Sequence, residues 1–198
     1  MPKIVDHDAR RNEISGVVAG LIAGGGLEAA TIREVARSSG YSKGVVEHYF
    51  DDKEELISGA LAWANGRYEE RVARAARGLV GLPALRKRIE AMLPLTAQTR
   101  DEWKVRLVFW GMAAIDEQLR RQQSERLDQA IAQFEADLRS AAERGEIDAI
   151  EDYRGAARHL LNVTTGVCTA ALHQREVYKR AFLKREIDDV IGRVANGI

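Results

Sequence analysis

Ser42 lies within Gly40-Tyr41-Ser42-Lys43-Gly44, which spells G-x-S-x-G, the turn that presents a nucleophilic serine in many hydrolases. That chemistry needs a strand before the serine and a helix after it, so that the hydroxyl is exposed on a strained turn. Ile32 to Ser39 instead have the spacing of an amphipathic helix with its own cap, so the pattern does not predict an enzyme. Other chemistry is equally thin. There is no H-E-x-x-H zinc pair and no G-x-x-x-x-G-K phosphate loop. None of the four histidines has Glu three residues before it, as a di-iron bundle would want. His173 with Glu176 is a lone H-x-x-E, suited to a solvated pair. Cys168 has no cation near it in sequence, which favours an inert buried thiol over a nucleophile. No cofactor and no metal are expected.

The elements that must position any site are helical. Pro occurs only at positions 2, 83 and 94, and Ala, Arg, Glu and Leu dominate the rest. Over 198 residues, 45% are apolar and 30% charged, enough for a sizeable core and too apolar for disorder. Thirty basic residues balance thirty acidic ones, so a polyanion partner would need a local basic patch. The single cysteine excludes an internal disulfide and fits a reducing cytoplasm. The N-terminus lacks an apolar leader core and no apolar run reaches 18 residues, so a cytoplasmic protein without a membrane span is expected.

An all-α chain follows. Helix one is expected over residues 5–23, burying Ile14, Val17, Val18, Leu21 and Ile22, with Gly24 to Gly26 stopping it. Thr31-Ile-Arg-Glu34 is a capping box that starts helix two, which buries Ile32, Val35 and Ala36. Ser42 caps a short third helix from Lys43 to Phe50. Asp51, with Glu54 three residues on, caps a fourth that runs to about Arg77. Further helices are expected near 83–93, 100–118, 120–144, 151–174 and 177–195, with Pro83 in a first turn and Gly145 at a C-cap.

The sharpest signal is residues 31 to 50, TIREVARSSGYSKGVVEHYF. A helix-turn-helix wants a small residue where its helices cross, a glycine at the turn and an apolar anchor in the second helix. Ala36, Gly40 and Val46 fill those places. The segment resembles the DNA-binding domain of the tetracycline-repressor (TetR) family. The run from Ser42 to Phe50, followed by Asp51-Asp52-Lys53-Glu54-Glu55-Leu56, is similar to that family's recognition helix and the start of its fourth helix. The HYF and DKEEL elements look closest to the subgroup of the choline/betaine-responsive repressor.

The resemblance implies a DNA-binding domain over residues 1–50 and a helical ligand-sensing and dimerisation domain over 51–198, joined through the long fourth helix. It implies a homodimer on a palindromic double-stranded DNA operator, with recognition helices about 34–36 Å apart, released by a small-molecule effector. Thr31 would meet a phosphate at a helix N-terminus or serve only as a cap. Arg33 would approach the backbone or groove edge. Ser42, Lys43, Gly44 and Val45 would enter the major groove, with Lys43 on phosphate or a guanine edge and Val45 on a thymine methyl. His48, Tyr49 and Lys53 would meet phosphates, although Tyr49 and Phe50 serve equally as core. Arg10 and Arg11 are expected to be solvated. Glu47 departs from the pattern. A carboxylate there repels phosphate unless it accepts from a cytosine amino group or pairs with Lys43. The first 50 residues also balance six basic against six acidic side chains, so nonspecific affinity should be modest and salt-sensitive.

Past residue 51 the candidates for a ligand pocket are Trp63, Trp103, Arg106, Trp110, Asn162 and Cys168. Trp103, Arg106 and Trp110 share a helical face. Their indoles suit a cationic ligand or are simply core, and Arg106 suits an anionic ligand or stacks on the indoles. Asn162, an amide in an apolar helix, needs a partner. Leu160, Val167 and Ala171 on one apolar helix, with Phe182, Ile187, Val190 and Ile191 on the last, suit an intermolecular four-helix bundle. The alternative class is a helical small-molecule-binding or scaffold protein whose helix-turn-helix no longer binds DNA, for which Glu47 and the neutral N-terminal region speak.

Overall fold

The computed structural model of the chain describes residues 6–195. The stretch Met1 to Val5, part of the N-terminus expected to hold no leader, lies outside them. Among the described residues every regular element is helical: α1 His7–Gly25, α2 Ile32–Ser39, α3 Lys43–Tyr49, α4 Lys53–Ala75, α5 Gly81–Met92, α6 Ala97–Ala113, α7 Glu117–Glu143, α8 Tyr153–His173 and α9 Arg180–Ala195. A short 3-10 turn, Leu27–Ala29, joins α1 to α2.

Helix boundaries follow local chemistry. Asp6 caps α1 by accepting from Ala9 N. The helix continues through Gly24 and Gly25 and ends only at Gly26, whose φ is 73° and whose N–H donates to Ile22 O. At the start of α4 the expected cap shifts by one residue. Asp52 Oδ1, not Asp51, accepts from Glu55 N at 2.8 Å, and Glu55 Oε2 accepts in return from Asp51 N at 2.9 Å. Glu55 thus satisfies the N–H of the residue before the cap rather than that of the cap itself. A reciprocal Thr96–Thr99 pair starts α6, with Thr99 N donating to Thr96 Oγ1 and Thr96 N to Thr99 Oγ1. α7 ends in a Schellman motif: Gly145 N donates to Ala142 O and Glu146 N to Ala141 O.

The chain forms two compact units. The first runs to Tyr68 and takes in Asp101–Met112; the second comprises Glu69–Arg100 and the chain from Ala113. The first unit extends past the boundary expected at residue 50 because α4 and α6 complete its core. Ile14, Val18 and Ile22 of α1, Val35 of α2 and Val46 of α3 bury with Phe50, with Leu56 and Ala60 of α4, and with Val105 and Phe109 of α6. Where α1 and α4 cross, Gly59 leaves no room for a larger residue. A Cβ there would sit 2.8 Å from the Phe50 ring and 2.9 Å from Ser15 Oγ.

In the second unit α7 packs on α5 and α8, and α8 on α9. Leu85, Ile89, Phe134, Leu138, Leu161 and Leu183 are enclosed there. Arg88 Nε meets Asp137 Oδ2 at 2.8 Å within this interior. Burial raises the Asp137 carboxyl above its usual pKa, and the neighbouring guanidinium offsets only part of that. Among the described residues no helix is long and apolar enough to cross a membrane.

Candidate nucleic-acid interface and sensor cluster

The turn between α2 and α3 is built by three short-range devices. Thr31 Oγ1 accepts from Glu34 N at 3.2 Å and opens α2. Gly40 closes α2 in the left-handed region, with φ 75°. Ser42 Oγ accepts from Val45 N at 3.3 Å and opens α3. Ser42 is therefore a helix cap preceded by a helix, the opposite of a nucleophile elbow. Only half of the capping box at Thr31 forms. Thr31 N donates to Ala29 O, and Glu34 turns to Arg37, whose Nε lies 3.0 Å away. Those contacts lower the Glu34 carboxyl pKa, the hydrogen bond from Arg37 being the main cause.

α3 divides cleanly into two faces. Val46 and Tyr49 are buried, whereas Lys43, Gly44, Glu47 and His48 are exposed and Val45 is half-buried. Gly44 has no neighbour within 4 Å of a built Cβ. A glycine inside a helix costs about 1 kcal/mol relative to alanine. Among the described residues nothing needs that position empty.

Each of three cations around this face holds a carboxylate. Lys43 Nζ lies 2.9 Å from Glu47, Lys53 Nζ 2.9 Å from Glu28, and Arg37 pairs with Glu34. The Lys43–Glu47 pair is one of the two arrangements that make a carboxylate tolerable at position 47. Arg33 is exposed and makes no hydrogen bond or ion pair among the described residues. Tyr49 is core with a tethered hydroxyl: its Oη lies 3.1 Å from His7 Nδ1, and the His48 ring stands edge-on to it at 5.1 Å.

Arg11 is exposed, as expected, and also makes specific contacts. Its guanidinium lies 4.5 Å above the Phe50 ring, donates to Tyr49 O and approaches Glu55 at 3.6 Å. It ties α1 to the end of α3 and the start of α4. Arg10 likewise stacks on Tyr41, whose hydroxyl donates to Glu13 at 2.8 Å. That bond raises the Tyr41 pKa. A cation followed by aromatic residues far along the chain has no local spacing, so neither contact was readable in the sequence.

Trp103, Arg106 and Trp110 of α6 come together with Tyr68 of α4. The two indoles stand edge-on, with centroids 5.7 Å apart. The Arg106 guanidinium lies 4.1 Å from the Tyr68 ring, 4.6 Å from Trp103 and 5.2 Å from Trp110. Its Nε and Nη1 are enclosed and have no hydrogen-bond partner among the described residues. Trp63 is elsewhere: its indole packs on α1, where a Cβ at Gly16 would come within 3.0 Å of it. Asn162 is exposed on α8 in the single chain. Cys168 is fully buried in the second unit, its Sγ 3.7 Å from Met92 O. None of the six lines the cavity of about 520 Å³ in that unit, which is bounded by Ala91, Leu93, Leu95 and Ile187 among others.

The expected dimer residues are placed as follows. Leu160, Ala171, Ile187, Val190 and Ile191 are enclosed by their own chain, at 0–6% exposure. Only Val167 and Phe182 of that set are half-buried. Each apolar row on α8 and α9 faces the other helices of its own unit.

A helix-turn-helix on a helical bundle, with an exposed recognition-type helix, defines a DNA-binding regulator class. Comparison with known proteins gives the family. Residues 19–60 match "Bacterial regulatory proteins, tetR family", and residues 83–195 match "BetI-type transcriptional repressor, C-terminal". The chain belongs to the tetR family of bacterial transcriptional regulators, in agreement with the resemblance to the choline/betaine-responsive subgroup. It is 30% identical over 114 residues to the HTH-type transcriptional regulator PksA of Bacillus subtilis (strain 168), covering 57% of this chain and 56% of PksA. The chain thus spans little more than half the length of that relative. A transcriptional regulator from Rhodococcus sp. Rha1 superposes with a TM-score of 0.79 at 26% identity, over 93% of this chain and 95% of the other. The fold is shared with a regulator from Saccharomonospora viridis solved in complex with choline, with a TM-score of 0.84 at 20% identity over 93% and 96% of the two chains.

Proposed function

We propose that the protein is a homodimeric repressor that binds a palindromic operator through α3 and is released by a small molecule. One observation carries the DNA-binding part: the exposed face of α3 presents Lys43, Gly44 and His48 around a glycine whose open side serves no intramolecular contact. Lys43 leaves Glu47 for a guanine edge or a phosphate, and Val45 offers methyl groups to thymine. Arg33 and Lys53, with Thr31 at the start of α2, bind the backbone and set the register. These pairs exchange readily, because exposed ion pairs contribute only about 0.2–1 kcal/mol.

The dimer surface lies on the outward rows of α8 and α9. Gly166 and Gly192 stand in mid-helix with nothing within 4 Å of a built Cβ, and Ala170 lies one turn from Gly166. Small residues let a second helix pair approach closely. The effector acts by binding better to the state in which two recognition helices no longer fit successive major grooves. The Trp103–Arg106–Trp110 cluster is its contact within the first unit.

The test is selection of bound fragments from sheared genomic DNA of the source organism, at low and at physiological salt. Enrichment of a palindrome is the expected result. Uniform recovery without enrichment, or no recovery, would remove the operator-binding function and leave a helical ligand-binding scaffold.

A further inference from the structure

We infer that the effector is an organic carboxylate and not a quaternary ammonium. The inference rests on the proposal that the Trp103–Arg106–Trp110 cluster senses the ligand. Three aromatic faces surround one spot, an arrangement that elsewhere suits a ligand cation. Here the protein's own guanidinium fills it, within 4.1 to 5.2 Å of the Tyr68, Trp103 and Trp110 centroids.

Ring faces attract the charge but leave the in-plane N–H groups unserved. Arg106 Nε and Nη1 are such groups, enclosed and without an acceptor among the described residues. Enclosed donors of a charged group are costly until an acceptor reaches them. A carboxylate supplies two acceptor oxygens and the opposite charge. The stacking rings already hold the arginine in place, so binding need not order it. A quaternary ammonium has neither feature. Its charged group carries no acceptor, the faces it would use are taken, and it would lie beside a like charge. This separates the chain from the structural neighbour solved with choline, despite the shared fold.

The experiment titrates the full-length protein with octanoate, benzoate, choline and tetramethylammonium. Thermal shift and indole fluorescence are read, since Trp103 and Trp110 flank Arg106. Saturable responses to at least one carboxylate and none to either ammonium are expected. Arg106→Met should lose about tenfold or more in carboxylate affinity, the scale of one charge-assisted hydrogen bond. The same variant should gain a response to tetramethylammonium, because its rings are vacated. A wild-type response to choline, or to neither carboxylate, overturns the inference, and so does an Arg106→Met protein that binds carboxylate undiminished. If Arg106→Met does not fold, the wild-type titrations decide alone. Operator binding is measured on the same protein without ligand. An operator bound and then released by choline sinks the carboxylate while leaving the repressor intact. A carboxylate response without operator binding does the reverse.

Discussion

The recognition face of α3 and the cluster around Arg106 handle positive charge in opposite ways. On and beside α3, Lys43 and Lys53 are exposed and hold Glu47 and Glu28, each at 2.9 Å. At the cluster, Arg106 is held by three rings, and two of its nitrogens meet no acceptor among the described residues. Exposed pairs are weak, so phosphate replaces carboxylate at little cost, and salt tunes the exchange. The enclosed nitrogens of a cation among rings demand an acceptor and are screened less by bulk salt. Exchange suits a partner carrying many charges in a row. A fixed, unserved donor suits a small ligand that binds once.

Arg88 sharpens this contrast most strongly, since it is enclosed like Arg106 but paired like Lys43. Its Nε lies 2.8 Å from Asp137, with side-chain exposures of 15% and 7%. Arg88→Met leaves a buried carboxylate without its partner, and a loss of about 3 kcal/mol at neutral pH is expected in urea unfolding. The sign of the pH dependence follows from Asp137. Burial already raises its pKa, so its contribution favours the native state at low pH and declines as pH rises through the native value. Without Arg88 that pKa rises further. The deficit of Arg88→Met should therefore be largest at neutral pH and shrink toward about pH 4, near the unfolded carboxylate. A deficit independent of pH would mean that packing of the arginine stem, not its charge, is what matters.

Removing the exposed cations should act on DNA binding and hardly on stability. Lys43→Ala is expected to weaken operator binding by about 1–3 kcal/mol and to relax selectivity for one base pair. Lys53→Ala should weaken operator and random DNA alike and lower the salt slope by about one. Titrations of both DNAs at several salt concentrations separate the two roles. Equal effects of both substitutions on both DNAs would show that Lys43 is only a backbone contact.

Most of the helix-turn-helix was legible because its signals are local. Thr31, Gly40 and Ser42 are caps and turns decided within four residues, and the structure forms each. The shift from Asp51 to Asp52 at α4 is the scale of error that such signals carry when two acids are adjacent. Contacts between distant segments were not legible. Nothing in sequence spacing links Arg11 to Phe50, or Trp63 to Gly16 across a helix crossing. The apolar rows of α8 and α9 showed that Leu160 and Ile187 are buried but not by which chain, since periodicity reports a buried face and not its partner. Asn162 shows the same limit. An amide amid apolar neighbours in sequence can still point outward, and here it does.

The smallest effect tests the exchange of carboxylate for phosphate itself. Glu28 is 92% exposed, contributes nothing to the core and engages Lys53 across 25 residues of sequence. If that pair must open before Lys53 reaches a phosphate, Glu28→Gln raises DNA affinity. The gain should be about two- to fivefold, the range of one exposed ion pair. It should be the same for operator and random fragments, because a cation that meets only phosphate reads no base. It should also fade as salt rises, since screening already weakens the wild-type pair. Glu47→Gln frees Lys43 in the same way but sits on the recognition face, so its gain should favour random DNA over the operator. If Glu28→Gln instead sharpened selectivity, or left affinity unchanged at low salt, Lys53 would not be the exchanging cation, and its bond to Glu28 would serve only to link the α1–α2 turn to α4.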